Sequence, residues 1–304
     1  MLRSLHGIVS SRVRTSSPGV FTPRISGFDT TEVTFIKYTN NRFIAGGANA
    51  KLGYSTDGIS WNIVTSSFGT TVVWDAAYGA GLYVAVGGSG KLATSPDGVI
   101  WTQRTSSFGS TSIFGIIYAA GIFVAIGASS KIATSTDGLT WTQQTYGISA
   151  INIYGIIHDG SKFRVVGTNG KISSSTDGVT WDHIVTSGFG TSQINSIAYN
   201  TNKYVAVSGD GKIGTSTDAV TWTQRTSPFS GLSIRDIAFG SDIFVACGNN
   251  GQLAYTVDLS NWTLLTSSFD ISNIDSITYG TVSGYPGFAI AGELGKISTS
   301  RVDN

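Results

Sequence analysis

Residues 113–145 show how apolar and polar positions alternate along this chain. Residues 113–118 are almost continuously apolar, which predicts a short strand packed on both faces. Ala119-Ala120-Gly121 reads as a tight connection, 122–126 as a second strand and 127–130 as a hairpin loop. Residues 131–135 read as a third strand, Asp137-Gly138 as a hairpin signal and 141–145 as a fourth strand. The apolar period of an amphipathic helix is absent throughout.

The same unit recurs. Trp61, Trp101, Trp141, Trp181, Trp222 and Trp262 stand 40, 40, 40, 41 and 40 residues apart. Each closes a turn of the type Ser-x-Asp-Gly-x-x-Trp, as in Ser55 to Trp61 and Ser135 to Trp141; Ala219 replaces the glycine in the fifth copy, and the sixth reads Thr256-Val257-Asp258-Leu259-Ser260-Asn261-Trp262. An aromatic column lies upstream at Tyr38, Tyr78, Tyr118, His158, Tyr199, Phe239 and Tyr279. Four short strands per repeat of this length predict an all-β fold, a seven-bladed β-propeller of four-stranded blades. The seventh copy, 274–300, ends before a fourth strand, and the missing strand is found at the other terminus. Phe21-Thr22-Pro23-Arg24 matches Trp101-Thr102-Gln103-Arg104, and Phe21 lies 40 residues before Trp61. The ring is therefore expected to close by pairing residues near 21–25 with residues near 296–300. Pro23, which lacks an N–H, suits an outermost strand. The domain reading is an N-terminal docking arm at 1–20 and a propeller at 21–304.

Composition narrows the chemistry. With 19 basic against 18 acidic residues, and only 12% of the chain charged, no strongly basic face is available for nucleic acid. A single cysteine, Cys247, excludes an intrachain disulfide and a cysteine-based metal cluster; it occupies the slot of Ile126 and Val207 and reads as a small buried hydrophobe. The three histidines (His6, His158 and His183) show no metal-ligand spacing, and no cofactor is expected. No apolar run reaches the length of about 18 residues needed for membrane insertion. The charge-poor, Ser/Thr/Gly-rich composition fits a protein of an exterior or particle surface.

The Ser-x-Asp-Gly-x-x-Trp turn resembles the Asp-box, or bacterial neuraminidase repeat, whose usual form has one more residue between Asp and Gly. The resemblance covers residues 21–300 and implies a propeller. Asp-box propellers include sialidases, other glycosidases, a photosystem assembly factor, sorting receptors and bacteriophage tail or fibre proteins. The shortened turn in near-identical repeats is most similar in style to the phage group. The implied function is a non-enzymatic virion structural protein located in the phage particle. Its partners would be other virion subunits, held by the arm, and host-surface glycan. The alternatives are a bacterial envelope or extracellular scaffolding propeller, or a sialidase-like glycosidase. A sialidase needs an arginine cluster, a Tyr–Glu pair and an acid Asp. Here only Arg235 aligns with the inner end of a first strand, and Glu293 has no matched tyrosine. Six near-copies around a ring cannot all be one active site, so the turn aspartates are expected to hold turns.

Three groups remain as candidate sites. Lys51, Lys91, Lys131, Lys171, Lys212 and Lys296, each at the start of a third strand, would form a ring on one face, either anion-facing or simply solvated. Four residues before each aromatic-column residue stands a position that varies between copies: Thr34, Trp74, Phe114, Tyr154, Asn195, Arg235 and Asp275. The residue before it is always Val or Ile. Trp74, Phe114, Tyr154, Asn195, Arg235 and Asp275 are the ligand-binding candidates, because aromatic platforms beside polar donors suit carbohydrate rings. The arm combines Leu2, Leu5 and Ile8 with Arg3, Arg12 and Arg14, and has no acid before Asp29. This composition fits a mitochondrial transit segment or an arm docking on a partner.

Overall fold

In the computed structural model of the protein, residues 17–147, 151–184 and 187–302 are described. Seven four-stranded antiparallel sheets follow one another along the chain. Blades 1 to 6 span residues 33–65, 73–104, 113–144, 153–184, 194–225 and 234–265. The first strands of neighbouring blades face one another around a central axis, and the fourth strands lie outermost. Blade 7 takes three strands from the C-terminal end (Ile274–Val282, Tyr285–Gly292 and Ile297–Thr299) and its fourth, Thr22–Arg24, from the N-terminal end. Thr22 pairs with Thr299, Pro23 with Ser298 and Arg24 with Ile297, the closure expected from the matched ends. Arg24 Nε donates to Thr299 Oγ1 at 2.7 Å, and Ser26 Oγ braces the junction by donating to the Gly295 carbonyl at 2.5 Å.

The core is divided among the blade interfaces. Between blades 2 and 3, for example, Val84, Val86 and Leu92 meet Phe108, Ile113, Ile116 and Phe123, with Trp141 at the edge. Each repeat tryptophan seals the interface with the preceding blade; at the last interface Phe21 stands in that place beside Val302. The aromatic column is explained by cross-strand pairing. Tyr38 lies opposite Phe43, and Tyr118 opposite Phe123, with ring centroids 4.7 Å apart in both pairs. His158 makes the same contact with Phe163 at 4.7 Å, half-buried in the place the other blades give to tyrosine or phenylalanine. These rings lie close to the next backbone: a Cβ on Gly280 would fall 2.3 Å from the Tyr38 ring, so only glycine fits there.

The turn aspartates hold turns. Asp137 Oδ1 accepts the N–H groups of Leu139 and Thr140, and Ser135 Oγ accepts that of Gly138. The same pattern recurs at Asp57, Asp97, Asp177 and Asp218, and at Asp258 with Thr256 in place of serine. These backbone donors hold the Asp97, Asp137 and Asp177 carboxyls below the usual carboxylate range.

Strand direction separates the two faces. Each first strand starts, and each third strand starts, on one face; the aspartate turns lie on the other. Thr22 pairs with Thr299 at the aspartate-turn end, so the segment preceding it departs from that face. Gly19 packs there against the Arg301 carbonyl, which a Cβ would approach to 2.0 Å.

Candidate functional site: the central mouth

The variable position owes its freedom to a β-bulge. In blade 1, Val33 pairs with Gly47 and the next pair is Phe35 with Gly46, so Thr34 is left without a partner. The same slip skips Trp74, Phe114, Tyr154, Asn195, Arg235 and Asp275 in the other six blades. A bulge residue escapes the in–out alternation of its strand and can be aimed elsewhere. Here all seven side chains line one cavity at the axis. The glycine opposite the bulge lets the backbones close in; a Cβ on Gly47 would sit 1.9 Å from the Glu32 carbonyl oxygen. Ser208 stands at this place in blade 5.

The mouth has a volume of about 460 Å³ and opens into a deeper axial channel of about 280 Å³. One half is aromatic. Trp74 and Phe114 meet edge to face at 6.1 Å, and Phe114 stacks on Tyr154 at 5.2 Å. The other half is polar. Asn195 Nδ2 donates to the Ile234 carbonyl at 2.7 Å, and its Oδ1 accepts from Gln193 Nε2. Arg235 Nε donates to Asn249 Oδ1 at 2.7 Å, while its Nη1 lies 2.7 Å from Asp275 Oδ1. The candidate ligand-binding residues are therefore brought together as the repeat comparison anticipates.

Both glutamates of the chain converge on the same sector, which the sequence reading did not anticipate. Glu32 lines the mouth beside Asp275, and Glu293 sits in the adjoining turn, accepting the N–H and the Nδ2 of Asn273 at 2.9 and 2.6 Å. Burial pushes the Asp275 carboxyl up to about 7; Arg235 opposes this, and the Glu32 and Glu293 charges, with a hydrogen bond to Glu32, reinforce it. A carboxylate pair thus exists, made by residues from opposite ends of the chain. The repeat alignment carried a signal for it. Glu32 stands where the other blades have Val72, Ser112, Asn152, Gln193, Ser233 and Asn273, and Glu293 where they have residues such as Ala48, Gly88 and Thr168.

One residue past the bulge, two further aspartates act as staples between blades. Asp75 accepts Lys37 Nζ at 2.9 Å and the Ile116 N–H of blade 3 at 2.9 Å. Asp236 accepts Ser196 Oγ at 2.7 Å and, from blade 7, Ser276 Oγ and the Ile277 N–H at 3.0 and 2.9 Å. Both carboxylates satisfy N–H groups on first strands, which have no sheet partner on the axis side.

The lysine ring occupies the mouth face, but most of its ammonium groups are engaged. Lys51, Lys91, Lys131 and Lys296 donate to the carbonyls of Phe28, Phe68, Phe108 and Phe269 at 2.9, 2.6, 2.7 and 3.0 Å. Lys212 instead pairs with Asp210 at 2.7 Å and Ser192 at 2.8 Å, and Lys171 holds the equivalent place in blade 4. Five of these lysines tie their blades to the entry loops, which supports the structural reading over an anion-facing surface. The arm residues Leu2, Arg3, Leu5, Ile8, Arg12 and Arg14 lie outside the described residues.

Asp275 yields a pH test. A carboxyl whose folded pKa is raised favours the fold most at pH below its unfolded value, near 3.9, and that advantage is lost as pH rises through about 7. Asp275→Asn should therefore raise Tm at pH 8 and change it little at pH 4. Equal shifts at both pH values would show that Asp275 ionises normally.

No family model matches the chain, and no curated protein matches it. Solved structures share the fold. Virginiamycin B lyase from Staphylococcus aureus aligns with TM-score 0.80 and 13% identity, over 94% of this chain and 99% of that one. A structure of YCF48 bound to D1 peptide aligns with TM-score 0.74 and 17% identity, over 94% and 98%. The WD40 propeller domain of Doa1 aligns with TM-score 0.73 and 10% identity, over 95% and 98%. At these identities the likeness establishes the propeller fold alone.

Proposed function

We propose that this chain is a non-enzymatic binding propeller of a particle surface, a virion component that presents its central mouth to host-surface glycan and docks on other virion subunits through residues 1–20. The observation that carries the binding role is the set of seven bulges. Repeats that agree at their packing positions diverge at the bulge, where the side chain is aimed into a common cavity. Packing against a neighbouring blade asks for sameness, as the invariant Val or Ile one residue earlier shows. The divergence produces an aromatic arc facing hydrogen-bonding groups, which is the surface a sugar ring requires.

The attachment role rests on geometry of a second kind. The chain segment entering at Thr22 comes from the aspartate-turn face, opposite the mouth. An arm rooted there can hold the propeller to a support while the mouth points away from it. The shortened Asp-box turn, resembling the phage group, fits this arrangement. Deleting residues 1–16 should leave Tm unchanged and abolish incorporation into the particle; particles that still carry the truncated protein would contradict the docking role.

The glycosidase reading is the less favoured one. Glycosidase carboxyl groups flank the scissile bond from two sides, about 5 Å or more apart, whereas Asp275 is buried against Arg235 with Glu32 beside it in the same sector of the mouth. Purified protein should bind glycans on a microarray without releasing sugar. Release of sugar that Asp275→Asn abolishes would overturn the non-enzymatic reading, and a microarray without bound spots would overturn the glycan.

A further inference from the structure

The charges facing the mouth and channel do not balance. From blade 1 they are Glu32 and Lys37, from blade 2 Asp75, from blade 6 Arg235 and Asp236, and from blade 7 Asp275. Lys37 is matched to Asp75, and Arg235 to Asp275. Asp236 is deep in the channel, surrounded by hydroxyl and N–H donors. Among the described residues Glu32 is left at the mouth with no cation against it, and Glu293 adds a second negative charge behind it. Asp275 beside it is met by Arg235 alone. Its side chain is 6% exposed, with Arg235 Nη1 2.7 Å from Oδ1, so three carboxyl groups in this sector share one guanidinium. A half-buried carboxylate without a counter-ion, as Glu32 is, is costly and marks a place where a cation is missing.

Going around the ring, Glu32 and Thr34 of blade 1 stand between Asp275 on one side and Trp74 on the other. An aromatic face near an unmatched carboxylate is the combination that holds an organic cation, through cation–π attraction on one side and ion pairing on the other. An anionic ligand such as an acidic sugar would need a free guanidinium. Arg235 already gives its Nε to Asn249 and its charge to Asp275, so it offers an anion its remaining N–H groups but no unmatched charge.

Taking the mouth as a glycan site, we propose that the glycan it recognises is cationic, carrying an ammonium group that seats between Trp74 and the Glu32 carboxylate. An amino sugar with a free amine, or a sugar bearing a choline-type substituent, has this chemistry. The N-acetylated form of the same sugar lacks it. The ammonium would supply the charge that Glu32 lacks, while the sugar ring lies over Phe114 and Tyr154.

The test compares matched ligands on the whole protein by titration calorimetry. Choline is measured against its uncharged isostere 3,3-dimethylbutan-1-ol, and glucosamine oligomers against N-acetylglucosamine oligomers of the same length at a pH of about 6, where the amines are charged. The expected result is binding at least tenfold tighter for the charged member of each pair. Trp74→Ala and Glu32→Gln should each weaken that preference about tenfold, with Tm and circular dichroism showing that both variants remain folded. Equal or tighter binding of neutral or sialylated oligomers, lost in Trp74→Ala, would overturn the cationic ligand and leave the glycan site standing. Binding of trimethyl-lysine peptides without binding of amino sugars would place the cation on a protein and overturn the proposal. If neither charged nor neutral glycans bind, this inference and the glycan site fall together.

Discussion

Deleting residues 1–26 is expected to abolish the folded monomer at 37 °C, whereas deleting residues 1–16 leaves Tm unchanged. The longer deletion removes the outermost strand of blade 7, exposing the edge of Ile297–Thr299. It also removes Phe21, which is 4% exposed at the interface of blades 6 and 7, where burial of a large apolar side chain is worth about 1.5–3 kcal/mol. The Ser26 hydroxyl that donates to Gly295 and receives the Phe28 N–H goes with it. Together with three lost ladder positions, the cost is on the order of 5 kcal/mol, comparable to the whole stability of many domains. The bare edge is then a template for pairing with other chains. Thermal melts and size-exclusion chromatography of the two truncations decide this. A monomeric 27–304 fragment melting at the temperature of the whole chain would show that the ring does not depend on its terminal strand.

The second large effect is expected at Arg164. Equivalent positions in the other blades carry Ile44, Val84, Val124, Val205, Val245 and Ala289, all buried aliphatics. In blade 4 a guanidinium takes their place. Its Nε donates to Asp159 Oδ2 at 2.9 Å, the Tyr204 hydroxyl of blade 5 donates to the same oxygen at 2.6 Å, and the guanidinium lies over the Tyr204 ring. The side chains of Arg164 and Asp159 are 9% and 1% exposed. Removing one partner of such a pair leaves a buried charge unmatched, a loss of about 3–5 kcal/mol, whereas an apolar pair of the same volume can be neutral. Arg164→Ala should therefore destabilise strongly, and Arg164→Val with Asp159→Asn should recover much of the loss. Burial opposes ionisation of Asp159, but the Tyr204, Arg164 and backbone donors outweigh it and hold this carboxyl well below the usual range. Its stabilisation is complete above the unfolded carboxyl value, near 3.9, and is lost as pH falls below it. Denaturant melts from pH 7 to pH 2 should show the difference between Arg164→Ala and the unaltered protein shrinking in acid. A difference that does not change with pH would mean that packing, not charge, is what Arg164 supplies.

How much of this was legible in the residues depends on whether a feature repeats. The blades, their strand order and the terminal closure follow from spacing, because each copy checks the others. Phe21 lying 40 residues before Trp61 predicted a pairing between chain ends that no local rule could give. The bulge tier was visible as a position that varies beside one that does not; its cause, a slipped register, is a property of backbone pairing and leaves no letter in the sequence. The lysine staples were hidden for a similar reason: their acceptors are carbonyls, which every residue carries. Glu32 was missed as a neighbour of Asp275 and Glu293 because ring closure brings together residues from opposite ends of the chain. Comparing every position around the seven copies would have marked both glutamates as departures, as it marked Trp74.

The central claim is that the divergent bulge residues, and not the repeated aspartate turns, make the functional surface. Titration of one microarray-selected glycan against the unaltered protein, Trp74→Ala and Asp137→Asn tests it most directly. The account predicts a ten- to hundredfold weaker Kd for Trp74→Ala at unchanged Tm, the equivalent of roughly 1.5–3 kcal/mol of lost contact. It predicts the reverse for Asp137→Asn, a lower Tm with the Kd preserved. A Kd that survives Trp74→Ala and is lost in Asp137→Asn would contradict it.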